Sequence, residues 1–413
     1  MPNHTSNPWQ PCTTPPGALI RSMPSFGSRS ARAENRFGLE YTQAALALGK
    51  PVCPILDIHT HVNGAIAAPI YWNAAKHFGI EHTFTQVRLP DAPIVLEATK
   101  KAMAETGWKS GRGSTHDVPL SFIAFPEFRN ADKRWAFTQG YLEHIQAFRD
   151  TYYARMIKLW NAPRMYELFE GPAGEDLIAF DSPWRVRHTE LAQSLGMGIM
   201  VHIADPDSWF ATRYSNAKKF HKKRDHYPAL ERMMDRFEGP WLAAHMGGYA
   251  EDLDFLDGLL TRHPNLSLDT SATKWIVREL SRHPRERVRD FFFKWEGRIL
   301  FGSDIVTVDE HTTPKFEDPS KPASQKHPMA DLADSPEAAF DLYSSRYFTL
   351  RLLFETDYEG PSPIADPDLR MVDPTLTDSL AAPFIRGLRL PPEYLRTLYR
   401  GAAESFLSKI KAK

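Results

Sequence analysis

Short apolar runs recur along this chain, and several of them stop on a histidine or an aspartate. Val52 to Leu56 leads into Asp57-Ile58-His59-Thr60-His61. Met197 to Val201 ends in His202, Trp241 to Ala244 ends in His245, and Arg298 to Ser303 ends in Asp304. Runs that are apolar on both faces, separated by helix-length segments, are the mark of parallel strands covered by helices on either side. Eight such strands are predicted, near 52–60, 80–87, 120–126, 154–160, 197–203, 240–245, 266–271 and 298–304. A helical pattern from Ala33 to Leu48 precedes them. The polar strand ends spread over roughly 250 residues, the usual length of an eight-stranded α/β barrel. The predicted fold is therefore α/β, a TIM (β/α)8 barrel with an N-terminal arm and a C-terminal extension.

The flanks read differently. Residues 1 to about 30 are rich in Pro, Ser, Thr and Asn and predict an extended arm, so the chain divides into an arm and helix over 1–50 and a barrel over 51–413. Within the barrel, the Pro-, Asp- and Lys-rich stretch at about 309–334 predicts a long loop over the mouth, a lid. A second Pro-rich stretch, Tyr358 to Pro392, leads to an amphipathic helix from Pro392 to Ile410 that is expected to pack on the outside of the barrel.

Composition narrows the partners. The 413 residues are 42% hydrophobic and 24% charged, enough for one large core, and 50 basic against 51 acidic residues supply no field for nucleic acid or an anionic membrane. A small-molecule substrate is expected instead, with a homodimer as a possible assembly. Cys12 and Cys53 cannot form a disulfide framework, the N-terminus lacks the apolar core of a signal peptide, and no apolar run approaches the roughly 20 residues needed to cross a bilayer. A cytoplasmic location follows as the expectation.

The strand ends carry the chemistry. Residues two apart on a strand share a face, so His59 and His61 can reach one ion. Active sites of barrels sit at the carboxyl ends of the strands, where His202, His245 and Asp304 also fall. Taken singly, each histidine reads as a core residue; jointly they read as a metal site. One divalent ion, zinc by its affinity for imidazole and carboxylate, is the expected cofactor. Asp57 is expected to hydrogen-bond a ligand or the backbone, and Asp269 to be structural. Gly247-Gly248 marks either a close approach of substrate or a plain strand-to-helix turn.

The strings LDIHTHV at Leu56 to Val62, MIKLW at Met156 to Trp160, MVHIADP at Met200 to Pro206, LAAHMGG at Leu242 to Gly248 and ILFGSDI at Ile299 to Ile305 follow one order. In that order the chain resembles the metal-dependent amidohydrolase superfamily, in the branch that holds hydrolases and decarboxylases similar to aminocarboxymuconate-semialdehyde decarboxylase. The resemblance implies that His59, His61, His202 and Asp304 are metal ligands, with Asp304 also shuttling a proton and His245 acting beside them as acid or base. It puts Lys158 where two-metal members carry a bridging carboxylated lysine; one ion, with Lys158 binding a substrate carboxylate or paired with an acid, is the reading preferred here. Gly401-Ala402-Ala403-Glu404 departs from the Asn-Ala pair common in the last helix, and the segment from Asp309 to Pro392 is longer than usual.

Three functions follow. The first is a metal-dependent hydrolase using activated water on a C–O or C–N bond of a small carbonyl compound, a lactone or an amide. The second is a metal-dependent nonoxidative decarboxylase of an aromatic or unsaturated acid, which needs a carboxylate clamp such as Arg129 or Arg164. The third is a non-catalytic metal-binding module. Trp72, Trp160, Trp209 and Trp275 follow strand-like segments and can line either a pocket or the core, while the basic run Lys218, Lys219, Lys222, Lys223 and Arg224 reads as a solvated helix face.

Overall fold

The computed structural model describes residue 32 and residues 34–108, 115–128, 131–169, 174, 176–314, 332–366 and 381–411. Nine parallel strands form one sheet: β1 Ile55–His61, β2 Ile80–Arg88, β3 Leu120–Phe125, β4 Met156–Trp160, β5 Gly198–His202, β6 Trp241–Ala243, β7 Leu266–Asp269, β8 Ile299–Leu300 and β9 Ile305–Val306. Each of β1 to β7 pairs with the next in sequence, and β9 pairs with β1. Between β8 and β9 the contact with β1 continues, because Ile58 N donates to Phe301 O at 3.0 Å and Asp304 N donates to His59 O at 2.8 Å. The stretch 299–306 thus bridges β7 and β1 and closes the sheet into a barrel of eight staves. Side chains along β4, β5, β6 and β7 are almost all buried, as both faces of a helix-covered parallel sheet require.

Several element boundaries differ from the sequence reading, each for a local reason. β1 starts at Ile55 because Pro54 has no N–H to give the ladder. The first helix begins only at Tyr41, since the Asn35 side chain bonds both Leu39 N and Leu39 O at 2.8 Å and holds the preceding residues in a turn. The eighth stave is interrupted before β9, where Asp304 adopts the left-handed conformation at φ 57°.

The described residues also include a 20-residue helix, Pro336–Glu355, buried on nearly every side and packed on the helix Ala67–His77. The last helical segment, Pro392–Ser408 with a wider turn at Thr397–Gly401, lies across the amino-terminal end of the barrel. Arg155 donates to Leu407 O at 2.6 Å, Arg400 pairs with Glu81 at 3.2 Å, and Ile410 sits against Gly198 at the start of β5. It seals the end opposite the candidate site rather than an outer flank. Of the expected lid, 315–331 lies outside the described residues, but its base is pinned: Asp309 accepts from Ala65, Ile66 and Ala67 N at 3.0, 2.8 and 2.9 Å. No described helix is long and apolar enough to cross a membrane.

Candidate metal centre

The closing contacts of β1 with the eighth stave bring His59, His61 and Asp304 together at the carboxyl end of the barrel. Asp304 Oδ1 lies 3.4 Å from His59 Nε2 and 3.3 Å from His61 Nε2. Donors bonded to one ion at about 2.1 Å in a tetrahedron stand about 3.4 Å apart, so the spacing fits an ion bound by these three groups. The backbone of the carboxylate is held from below. Asp57 accepts from Ser303 Oγ at 2.6 Å, Ser303 N at 3.0 Å, His59 N at 3.2 Å and Tyr347 Oη at 2.8 Å. Burial pushes the Asp57 carboxyl up to about 7, against the pull of the Ser303 and Tyr347 hydroxyls. Asp57 therefore ties β1 to the residue next to Asp304, the backbone role expected of it.

Burial also raises Asp304, but the hydrogen bond from His61 and the nearby His59 outweigh it and hold the group well below the usual carboxylate range. Lys158 points its ammonium at the same spot, with Nζ 3.4 Å from His59 Nε2. Burial lowers its pKa to about 8, opposed by Asp269 and Asp304. A buried cation needs such carboxylates.

His245, in the turn that follows β6, has left-handed backbone at φ 58° and ψ 47°, followed by Met246 at φ 51°. Non-glycine residues in this region cost about 1–3 kcal/mol each and persist only where surroundings fix them. Here the fixing groups come from the end of β7: His245 N donates to Asp269 Oδ1 at 2.9 Å, and Ser271 Oγ lies 2.8 Å from His245 Nδ1. Burial lowers the His245 pKa well below its ordinary value, and His202 adds to the effect. Asp269 Oδ2 also accepts from His59 Nδ1 at 2.8 Å, the carboxylate–histidine pairing that orients metal-binding imidazoles.

The structure sorts the predicted residues. His202 is close, its ring centre 4.6 Å from that of His245, but its Nε2 bonds Asp205 Oδ1 at 2.8 Å and it stands outside the three-donor group. Trp275 borders the site, 5.8 Å from His245, and Trp209 packs behind it at 5.9 Å, while Phe125 meets His61 at 5.9 Å. Trp72 does not, since its Nε1 donates to Thr99 Oγ1 at 2.9 Å between two outer helices, and Trp160 packs on Phe137 in a satellite core. Arg164 pairs with Glu167 at 3.6 Å, and Arg129 lies outside the described residues. Lys223 departs from the expected solvated face: it is buried against Asp207 and Glu251, 3.0 Å from each. Gly248 accommodates the chain itself, since a Cβ there would press into the Ala204 carbonyl. The residues that sequence reasoning undervalued are Asp269 and Ser271. Asp269 ends an apolar run as the site histidines do, and that was the available signal.

No protein-family model matches the chain, and no curated protein matches it in sequence. Among solved structures it is similar to an amidohydrolase from Burkholderia multivorans with bound HEPES, at 12% identity and a TM-score of 0.37 over 86% of this chain and 99% of that one. It is also similar to a TatD-family hydrolase from Entamoeba histolytica, at 10% identity and a TM-score of 0.42 over 87% of this chain and 99% of that one. The barrel assignment itself rests on the strand order and closure described above.

Proposed function

We propose that this protein is a metal-dependent hydrolase acting on a C–O or C–N bond of a small carbonyl compound, of lactone or amide type, in the cytoplasm. The observation that carries the reading is the 3.3 and 3.4 Å spacing of Asp304 Oδ1 from His61 Nε2 and His59 Nε2. His59, His61 and Asp304 would hold a divalent ion, zinc by the donor set, which would supply a water whose pKa is lowered from 15.7 toward about 7. The Asp304 carboxylate would accept a proton from the attacking water on the oxygen not used by the ion, and His245 would assist at the carbonyl oxygen or in the second proton transfer. His202 is assigned to the ion with His59, His61 and Asp304, its Nε2 being held by Asp205 and its Nδ1 left for the ion. Trp275 flanks His245 and Phe125 flanks His61, giving a substrate apolar surfaces beside the donors.

A specific observation also favours the decarboxylase reading: Lys158 offers a buried ammonium beside the donors, able to hold a substrate carboxylate. Elemental analysis of purified protein, followed by a screen of lactones, amides and aromatic acids with carbon dioxide monitored, separates the readings. About one zinc-like ion per chain with hydrolysis and no carbon dioxide is expected. Carbon dioxide release would move the assignment to the decarboxylase, and full metal retention after His59→Ala with His61→Ala would overturn the metal site.

A further inference from the structure

The hydrogen bonds of Asp269 and Ser271 end on two histidines of the site, and counting the protons in them leaves one arrangement. The Asp269 carboxylate can only accept, so His59 Nδ1, 2.8 Å from its Oδ2, carries a hydrogen, and the donor-only Lys158 ammonium 3.4 Å from Nε2 suits a bare nitrogen there. Burial keeps the ring neutral, so its single hydrogen lies on Nδ1 and Nε2 has none. Asp269 Oδ1 meanwhile accepts from His245 N at 2.9 Å, from Ser271 N at 3.0 Å and, in a very short bond, from Ser271 Oγ. The one hydroxyl hydrogen of Ser271 is thereby used. Its oxygen can then only accept, from His245 N at 3.2 Å and from His245 Nδ1 at 2.8 Å, so that ring nitrogen must be protonated.

We propose that Asp269 and Ser271 are positioning residues that fix the tautomers of both His59 and His245, leaving Nε2 of each ring without hydrogen. Both residues come from the end of β7, and Gly302 lets that strand end approach β1: a Cβ there would sit 3.0 Å from His59 Cβ, 3.3 Å from Ser271 Cβ and 3.6 Å from Asp269 Cβ. One carboxylate thus sets two rings on two different strands. What the lone pairs are used for rests on the hydrolase reading above: His59 Nε2 donates to the ion, and His245 Nε2 takes up a proton instead of offering a hydrogen bond to the substrate carbonyl. The tautomers themselves do not depend on that reading.

Histidine-selective ¹⁵N labelling of the full-length protein, metal-free and zinc-loaded, reads which ring nitrogen carries hydrogen; resonances are identified by their loss in His245→Asn and His59→Gln. The wild type is expected to show protonated Nδ1 on both rings. Ser271→Ala should leave His59 and the metal content unchanged, turn His245 into a mixture of tautomers, and lower kcat roughly 10- to 100-fold with KM little altered. Ser271→Thr, which keeps the hydroxyl, should restore the Nδ1–H form. Asp269→Asn should disturb both rings and weaken metal retention by a similar factor. A wild-type His245 protonated on Nε2, or an unchanged tautomer in Ser271→Ala, overturns the proposal. Absence of bound metal with both tautomers as stated would instead remove the hydrolase reading and leave this one standing.

Discussion

Replacing Gly248 with alanine should damage both stability and the site, and the two costs can be worked out separately. Gly248 follows His245 by three residues and has φ +71°. A Cβ there would lie 2.9 Å from the carbonyl carbon and 3.2 Å from the Cα of Ala204, against an optimal carbon separation of about 3.5–4.0 Å. The obstacle is backbone, so the loop after β6 must move away from the loop after β5 by on the order of half an ångström or more. Left-handed backbone costs an alanine about 1–2 kcal/mol, and overpacking about 1–3 kcal/mol more, for a total of about 2–5 kcal/mol. Gly297 supplies the control, being left-handed at φ +79° with nothing within 4 Å of a Cβ, so Gly297→Ala should lose only about 1–2 kcal/mol. The displacement also shifts His245 against His202. A misplacement approaching 1 Å can cost on the order of 10² in rate, so Gly248→Ala should lose turnover and Gly297→Ala should keep it. Urea unfolding of both variants beside the wild type measures the first cost and steady-state kinetics the second. Equal destabilisation of the two variants would refute the claim that Ala204 excludes a side chain at this position.

His245→Asn should keep its metal and lose roughly 10²- to 10⁴-fold in turnover, whereas Asp304→Asn should lose both; metal analysis beside the rates decides, and the reverse pattern would exchange their roles. Burial holds His188 at a pKa of about 3 and His226 at about 4 in the fold, well under the unfolded value of about 6.5. Below pH 6.5 the unfolded chain takes up protons that the fold refuses, so stability should fall as pH drops from about 6.5 toward 4, by about 1.4 kcal/mol per unit for each group. Urea midpoints at pH 7.5 and 5 test this, and His188→Gln should flatten the slope; equal midpoints for the wild type would contradict it. Asp309→Ala strips the acceptor from three N–H groups at the start of the Ala67–His77 helix and should cost about 1–2 kcal/mol in the same assay, with no change at all ruling out a capping role.

Strand positions were legible because they follow from a local rule. A run buried on both faces must be apolar throughout, so the eight staves stand out, and Met156–Trp160 and Gly198–His202 fall within two residues of their expected bounds. The same rule located the chemistry, since parallel strands in a closed barrel all end at one mouth and His59, His61, His202, His245 and Asp304 all lie at strand ends. The interruption of the eighth stave was not legible. Aspartate tolerates left-handed backbone without requiring it, and that turn is fixed by the bonds from Ser303 to Asp57, from Asp304 N to His59 O and from Ile305 N to Ser303 Oγ.

The sequence by itself determined the barrel, the mouth at which its polar ends gather, and the donor types available there. Tertiary structure alone decided which donors meet. His61 and Asp304 converge on His59, His202 turns to Asp205, Arg164 is taken by Glu167, and Asp269 with Ser271 reaches two rings at once. The reason lies in the separation of the partners: Asp57 is 246 residues from Ser303 and 290 from Tyr347, and His59 is 210 from Asp269. Periodicity reports which side of a strand or helix is buried, a property of neighbours along the chain. The partner of a buried polar group is set by barrel closure and by the rotamers that closure permits, and no pattern within one strand contains that information.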